Sequence, residues 1–341
     1  MNRATDVHRR LRAAVRREPL LPVLVILLIA LAGSYQGFAT VANFRNIAVQ
    51  ASPLIIAAVG MTYVIMTAGI DLSVGSMLFL AAAIESSRAI VGLPAAVVFA
   101  VICAAGVLMG LLNGVAVAFT QVPALIVTLA AMQVFRGAGG HITGQQNIEL
   151  PAKLRGIGTG SLLGVPTPVL LAAAVALAGG FVFSRTTFGR YVQAVGSNAD
   201  AAANAGLPVR GVLVGVYALA GLLAAVASLT QTARLGAVQP SIGQGYELTV
   251  ITAVVLGGTT LFGGRGSIGG TVLGALVLTT VQTGLVFSGA SPYVFDIVRG
   301  SVLLAAVLAA GARWRNVAHA VRLTGRGRPS RDGRYDAATS A

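Results

Sequence analysis

Side chains able to do chemistry are scarce in this chain of 341 residues, and their spacing excludes most reactions. The histidines His8, His141 and His319 are widely separated, two of them near the termini, so they suggest no metal-ligand constellation. The one cysteine, Cys103, lies in an apolar run and can form neither an internal disulfide nor a thiolate cluster. The one lysine, Lys153, follows Pro151-Ala152 and precedes Leu154. A phosphate-cradling loop needs Gly-x-x-x-x-Gly-Lys-Ser/Thr, so ATP is not bound by that route. Neither a nucleophile–base pair nor paired carboxylates stand at a shared position, which argues against an enzyme.

A few polar residues remain informative. Asp71 sits in Gly69-Ile70-Asp71-Leu72-Ser73-Val74-Gly75 between two apolar runs. A carboxylate there is costly unless it has a task. Capping of the following helix by Asp71 or Ser73 is the favoured reading, with a proton or ion site as the alternative. Glu247 and Asp296 lie near one edge of the apolar region, and Arg299 is spaced i, i+3 from Asp296, as an intrahelical ion pair requires. Gly106, Gly110 and Gly114 form one small-residue stripe, and Gly266, Gly270 and Gly274 another; both suit close helix packing within the chain. The segment 189–208 stands apart. Ser197 or Asn198 can cap a short helix, Asp200 suits its positive end, Ala201, Ala202 and Ala205 propagate it, Gly206 fits C′ and Pro208 stops it. Such a small, nearly uncharged helix suits a knob that docks into a partner; a plain surface loop with a helical turn is the simpler alternative.

The elements that position these residues are membrane spans. Hydrophobic residues make up 56% of the chain and charged residues 10%, with mean hydropathy +0.83. Soluble chains carry roughly 25% charged residues. A span takes about 20 apolar residues to cross roughly 30 Å of hydrocarbon. Runs of that kind give about ten candidates, at 20–38, 47–68, 72–90, 94–120, 123–142, 166–184, 211–232, 247–262, 267–287 and 292–312. The eighth is short, and the second and third are crowded enough to be kinked or re-entrant. The fold class is therefore an all-α polytopic membrane protein with a basic segment at 1–19, a membrane domain at 20–312 and a basic, disordered tail at 313–341. Arg3, Arg9, Arg10, Arg12, Arg16 and Arg17 at one terminus and the arginine-rich tail at the other put both termini in the cytoplasm, along with the loop 185–210. The first span could alternatively be a cleaved signal peptide, with 30–32 as the cleavage-like site. Trp314, Val317 and Val321 could lie on the anionic leaflet, although a basic flank that sets topology is the simpler reading.

From 43 to 308 the chain resembles the permease subunits of ABC importers for ribose, xylose, arabinose and galactose. Gly60-Met61-Thr62 with the Gly69–Gly75 segment matches the family's early signature. Leu112-Asn113-Gly114, the segment 123–129 and Arg136-Gly137 match the middle, and Leu256-Gly257-Gly258-Thr259 through Gly263-Gly264-Arg265-Gly266-Ser267 the late one. Asn198-x-Asp200-Ala201-Ala202-x-x-Ala205-Gly206 is similar to the family's coupling helix, which inserts into the ATPase. Thr249 stands where the family usually has an acid, and Ala203 or Asn204 where it often has arginine.

The resemblance implies a structural signature of Gly69, Asp71, Ser73, Gly75, Gly257, Gly258, Gly263, Gly264 and Gly266, with Ser197 to Gly206 coupling to the ATPase. It implies a bacterial inner-membrane complex of this chain with a second permease copy or sister permease, ATP-binding subunits holding ATP and Mg, and an extracytoplasmic solute-binding protein. It implies neither a cofactor nor a metal on this chain, and no nucleic acid partner. Neutral polar side chains suit an uncharged polyol, so Thr62, Asn113, Gln133, Thr252 and Gln282 are expected along the translocation path, with helix-packing hydrogen bonds as the competing role. Other readings are a permease for a nucleoside, branched-chain amino acid or furanosyl signal, and a secondary transporter, which would need an ionisable relay beyond Asp71.

Overall fold

The computed structural model describes residues 19–305, 307 and 308. The basic N-terminal segment, apart from residue 19, and the tail 313–341 lie outside the described residues.

The expected spans appear as helices of unequal length. They are α1 (Leu20–Ser34), α2 (Val41–Met66), α3 (Val74–Ser86), α4 (Ala95–Phe119), α5 (Ala124–Thr143), α7 (Thr167–Arg185), α10 (Val209–Leu235), α11 (Tyr246–Leu256) and α12 (Ile268–Phe287), followed by a helical stretch at 292–305. Among the described residues, six are long and apolar enough to cross a membrane: α2, α4, α5, α7, α10 and α12. The helices α1, α3 and α11 are apolar but shorter. At 1.5 Å per residue the 13 residues of α3 cover about 20 Å and the 11 of α11 about 17 Å, well short of a roughly 30 Å core. The third and eighth expected spans are short helices, whereas the second, expected to be kinked or re-entrant as well, forms the single 26-residue helix α2.

Three shorter helices connect them: α6 (Ala152–Thr159), α8 (Thr187–Ser197) and α9 (Ala199–Asn204). The fold is not strictly all-α. Strand β1 (Ile148–Glu149) pairs antiparallel with β4 (Ala237–Val238), and β2 (Ser161–Leu162) with β3 (Val165–Pro166). These pairings gather loops at one end of the bundle. There Lys153 Nζ donates to the Leu93 carbonyl at 2.8 Å, and Tyr35 and Phe38 pack on Phe287. The other end holds α8 and α9, with Arg210 over the Phe119 ring and the Gly264 amide bonded to the Met66 carbonyl.

The core is centred on α2, whose residues 51–66 are all buried. Tyr63 Oη donates to the Gly179 carbonyl of α7 at 2.6 Å, and its ring meets Phe183 and Phe188. In contrast α4, α5 and α7 expose long apolar faces, including Leu108, Leu112, Ile126, Leu129, Leu177 and Phe181. Apolar side chains facing outward around a buried helix are what a lipid solvent selects.

The first glycine stripe packs within the chain. Gly106, Gly110 and Gly114 of α4 lie against Gly221, Tyr217 and Val214 of α10, so closely that a Cβ at 110 would collide with the Tyr217 carbonyl. Two members of the second stripe do likewise, since Gly274 lies on the Ala253 carbonyl and Gly257 on the backbone of Gly270; Gly266 instead lies in the turn before α12, against Thr259 and Met66. Gly110→Leu is therefore expected to force α4 off α10 at about 1–3 kcal/mol or more. Gly137→Ala, where a Cβ meets nothing within 4 Å, should instead gain about 0.5–1 kcal/mol from helix propensity. Melting temperature and monodisperse yield in detergent measure both; equal behaviour of the two variants would contradict the packing.

Candidate functional site

Three places depart from continuous helix within the bundle: the linker 67–73, the loop 239–245 and the glycine-rich turn 257–267. Each exposes backbone polar groups at or near membrane depth, where no water replaces a lost hydrogen bond.

In the linker, Thr67 Oγ1 donates back to the Val64 carbonyl at 2.8 Å. Ala68 takes a left-handed backbone, φ 60°, which costs an L-residue about 1–2 kcal/mol. Thr128 of α5 then serves both sides of the chain: its Oγ1 donates to the Ile70 carbonyl and accepts from the Leu72 amide, each at 3.1 Å. Asp71 is fully buried, and its Oδ1 accepts from the Ser73 amide at 2.8 Å and from Ser73 Oγ at 2.6 Å. Asn113 Nδ2 of α4 donates to Ser73 Oγ at 2.8 Å.

This refines the cap reading of Asp71. Ser73 occupies the cap position of α3 but gives no side-chain bond to the helix amides. Asp71 bonds the amide two residues on, an Asx turn that sets the entry of the chain into α3. Thr128 escaped notice as an individual residue, since a threonine in an apolar span carries no signal; only the matching segment 123–129 pointed there.

The loop 239–245 is held by two arginines. Arg136 Nη1 donates to the Ile242 carbonyl at 2.8 Å and to that of Pro240 at 3.4 Å, with its guanidinium 4.6 Å from the centre of the Phe79 ring. Arg299 Nη1 donates to the Gly245 carbonyl at 3.1 Å and to Thr249 Oγ1 at 2.8 Å, while Nη2 pairs with Asp296 at 3.0 Å, the expected i, i+3 partner. Thr249, where the family usually has an acid, is thus a hydroxyl acceptor for Arg299. Gly75 of α3 lies against the Gly243 carbonyl and the Glu247 carboxylate, so the first turns of the two short helices meet.

At the α8–α9 end, the segment 185–210 forms two helices rather than one. Sequence reading missed α8, although Phe188, Val192 and Val195 follow helical spacing, and Val192 and Val195 are buried. In α9, Asn198 is the cap, its Oδ1 accepting from the Ala201 amide at 2.9 Å. The Gly206 amide bonds the Ala203 carbonyl at 2.9 Å and the Leu207 amide the Ala202 carbonyl at 3.0 Å, a Schellman motif with Gly206 at C′, φ 80°. Ser197, Asn198, Ala199, Asp200, Ala201, Ala203, Asn204, Ala205 and Gly206 are exposed. Ala202 is not: at 5% exposure it faces inward and seats α9 on the bundle, so it cannot belong to a docking surface.

The residues expected along a path divide. Thr62 Oγ1 donates to the Ala58 carbonyl at 2.7 Å and pairs with Thr271 Oγ1 at 2.8 Å, joining α2 to α12. Thr252 is buried and donates to the Leu248 carbonyl of its own helix, and Asn113 supports Ser73. These three act in packing. Gln133 and Gln282 are exposed on α5 and α12. Among the described residues no cluster of metal-binding side chains occurs. Of the glycine signature, Gly257, Gly263, Gly264 and Gly266 all make close contacts in the turn between α11 and α12 or with Met66, Gly196 and Ser197, while Gly258 takes φ 89° with open space around it.

Asp71→Asn is expected to keep its amide oxygen on Ser73 and to fold and transport close to the unsubstituted protein. Asp71→Leu leaves the Ser73 amide unpaired in a buried place and should cost about 1–3 kcal/mol. Folded yield and thermal denaturation read the difference. A well-folded Asp71→Asn without transport would assign the charge itself a role.

The chain matches, over residues 43–307, the family described as "Branched-chain amino acid transport system / permease component". It is 41% identical to the ribose import permease protein RbsC of Escherichia coli (strain K12) over 302 residues, covering 87% of this chain and 94% of the relative. It is 35% identical to the galactofuranose transporter permease protein YtfT of the same strain over 275 residues, covering 80% and 81%, and 34% identical to its xylose transport system permease protein XylH over 328, covering 78% and 84%. No solved structure matches. With a family model spanning most of its length and relatives matched nearly end to end, the chain belongs to this family of ABC transport permeases.

Proposed function

We propose that this chain is the translocating subunit of an ATP-driven importer, and that its cargo is a monosaccharide. The observation that carries the reading is α9, a six-residue helix closed at both ends by its own sequence and presented outward at one end of a membrane bundle. A short, capped, exposed helix is a rigid shape on which a partner can push. That partner is an ATP-binding subunit carrying ATP and Mg, because this chain has no phosphate-cradling loop. An extracytoplasmic binding protein delivers the cargo, and a second permease copy or a sister permease completes the path. Relatives named for ribose, galactofuranose and xylose support a sugar over the amino acid in the family's description.

The α9 end and both termini face the cytoplasm of a bacterial inner membrane in this reading. Polar groups for the cargo are sought where α3 and α11 begin, near the half-buried Glu247 and the exposed Gln244, because Thr62, Asn113 and Thr252 are occupied in packing. Meeting ends of discontinuous helices offer backbone dipoles to a solute.

Reconstituted in nanodiscs with its cognate ATPase and binding protein, the complex should hydrolyse ATP on addition of sugar-loaded binding protein. Ala203→Trp, which adds bulk on the exposed side of α9, should weaken co-purification with the ATPase or abolish that stimulation while the permease alone keeps its melting temperature. Assembly and stimulation unaffected by Ala203→Trp would reduce α9 to a connector. Orientation is read separately: on a Cys103→Ala background, Asn147→Cys and Gln239→Cys should react with an impermeant thiol reagent from outside, and Asn198→Cys only after permeabilisation. Labelling of position 198 in intact cells would reverse the topology.

A further inference from the structure

Immediately before α9, the chain makes contacts that leave no room for a side chain. Gly196, the penultimate residue of α8, lies on the carbonyl of Met66, the last residue of α2, and a Cβ there would overlap that oxygen. Gly263, φ 81°, lies against the same carbonyl, the Ala68 amide and the Gly196 carbonyl. The Gly264 amide donates to the Met66 carbonyl at 3.0 Å and supplies a partner to an oxygen at the end of α2, where helical carbonyls lack one. Gly266 rests on Met66 Sδ.

The turn contributing these glycines is itself stiffened. Thr260 Oγ1 donates to the Gly263 carbonyl at 2.7 Å, the Gly263 amide returns to the Thr260 carbonyl at 3.1 Å, and the Thr260 amide bonds the Arg265 carbonyl at 2.9 Å. Three segments distant in sequence thus meet backbone to backbone, and Asn198, the cap of α9, is two residues from the meeting point. Contacts through long side chains can slip by changes of rotamer. Backbone contacts at glycine either hold or separate.

We propose that Gly196, Gly263 and Gly264, with the Met66 carbonyl, form a rigid joint through which displacement of α9 moves the end of α2 and the α11–α12 turn as one body. They are positioning residues: they touch neither cargo nor ATPase. The proposal rests on the reading of α9 as the coupling element. It gives that element two outputs. One runs through α2 and the linker 67–73 to the start of α3, and the other through the turn to α11 and α12; the two meet again where Gly75 of α3 lies on Gly243 and on Glu247 of α11.

The experiment uses the full complex in proteoliposomes. Gly196→Ala and Gly263→Ala should still co-purify with the ATPase and retain binding-protein-stimulated hydrolysis, because the exposed face of α9 is unchanged. Sugar transported per ATP hydrolysed should fall about tenfold, the scale of a typical coupling between sites. Gly137→Ala should leave the ratio unchanged. An unchanged ratio in both joint variants overturns the joint. The coupling reading stands or falls separately, on whether Ala203→Trp loses assembly or stimulation. Should the glycine variants fail to fold, Thr260→Val decides, since it removes the hydroxyl bond to the Gly263 carbonyl that stiffens the turn while adding no Cβ at the joint. The ratio of sugar to ATP should then fall with stimulated hydrolysis retained. An unchanged ratio in Thr260→Val overturns the proposal.

Discussion

The structure depends on one constraint: inside a bilayer, every backbone amide and carbonyl that leaves a helix must find its partner within the protein. Among the described residues three apolar helices are shorter than a span, and at α3 and α11 the constraint falls on the segments that complete them. The linker 67–73 borrows Thr128 from α5 and Asn113 from α4, and the loop 239–245 borrows Arg136 from α5 and Arg299 from the last helical stretch. Polar residues that look anomalous in an apolar chain are therefore placed by backbone left unpaired elsewhere. Arg136 and Arg299 also show why charge survives here, since each guanidinium has several donors for carbonyl oxygens at fixed angles.

This explains which parts of the site were legible in the sequence. Helix positions follow from local apolar runs, and the Asp296–Arg299 pair and the caps of α9 follow from spacing within one element. The partners of unpaired backbone do not. Thr128 pairs with residues 56 and 58 positions away, and Arg136 with residues 104 and 106 away. No periodicity encodes such separations. For Thr62, Asn113 and Thr252 the sequence left a cargo path and helix packing both open for the same reason: a polar side chain in a span reads identically whether it faces a channel or a neighbouring helix, and here each is hydrogen-bonded within the bundle. Ala202 was misplaced on a finer scale, since a six-residue alanine-rich helix has no pattern to show which face turns inward.

Glycine had been read as spacing for helix packing, and that holds for Gly106, Gly110 and Gly114 against α10. The glycines of the turn 257–267 play a different part. They bring loop backbone, rather than helix backbone, onto the ends of α2 and α8. Family resemblance marked them as a signature without indicating their partner, because the partner is the Met66 carbonyl, a group every residue possesses.

The two ends of the bundle are consequently held by different physics. At the α9 end, contacts are made by backbone on backbone, with distances fixed by the absence of Cβ atoms. At the other end, the loop 239–245 hangs from long arginine side chains whose charged heads can re-aim among several carbonyls while remaining paired. Arg136 already divides its donors between Pro240 and Ile242, and Arg299 between Gly245 and Thr249. In the coupling proposed for α9, stiffness at that end and compliance where the short helices meet would turn a displacement at one end into a rearrangement at the other. The helices α3 and α11 suit that arrangement because neither is long enough to cross the full bilayer, and they meet where Gly75 lies on Gly243 and Glu247, so that either can shift without dragging a complete span through lipid.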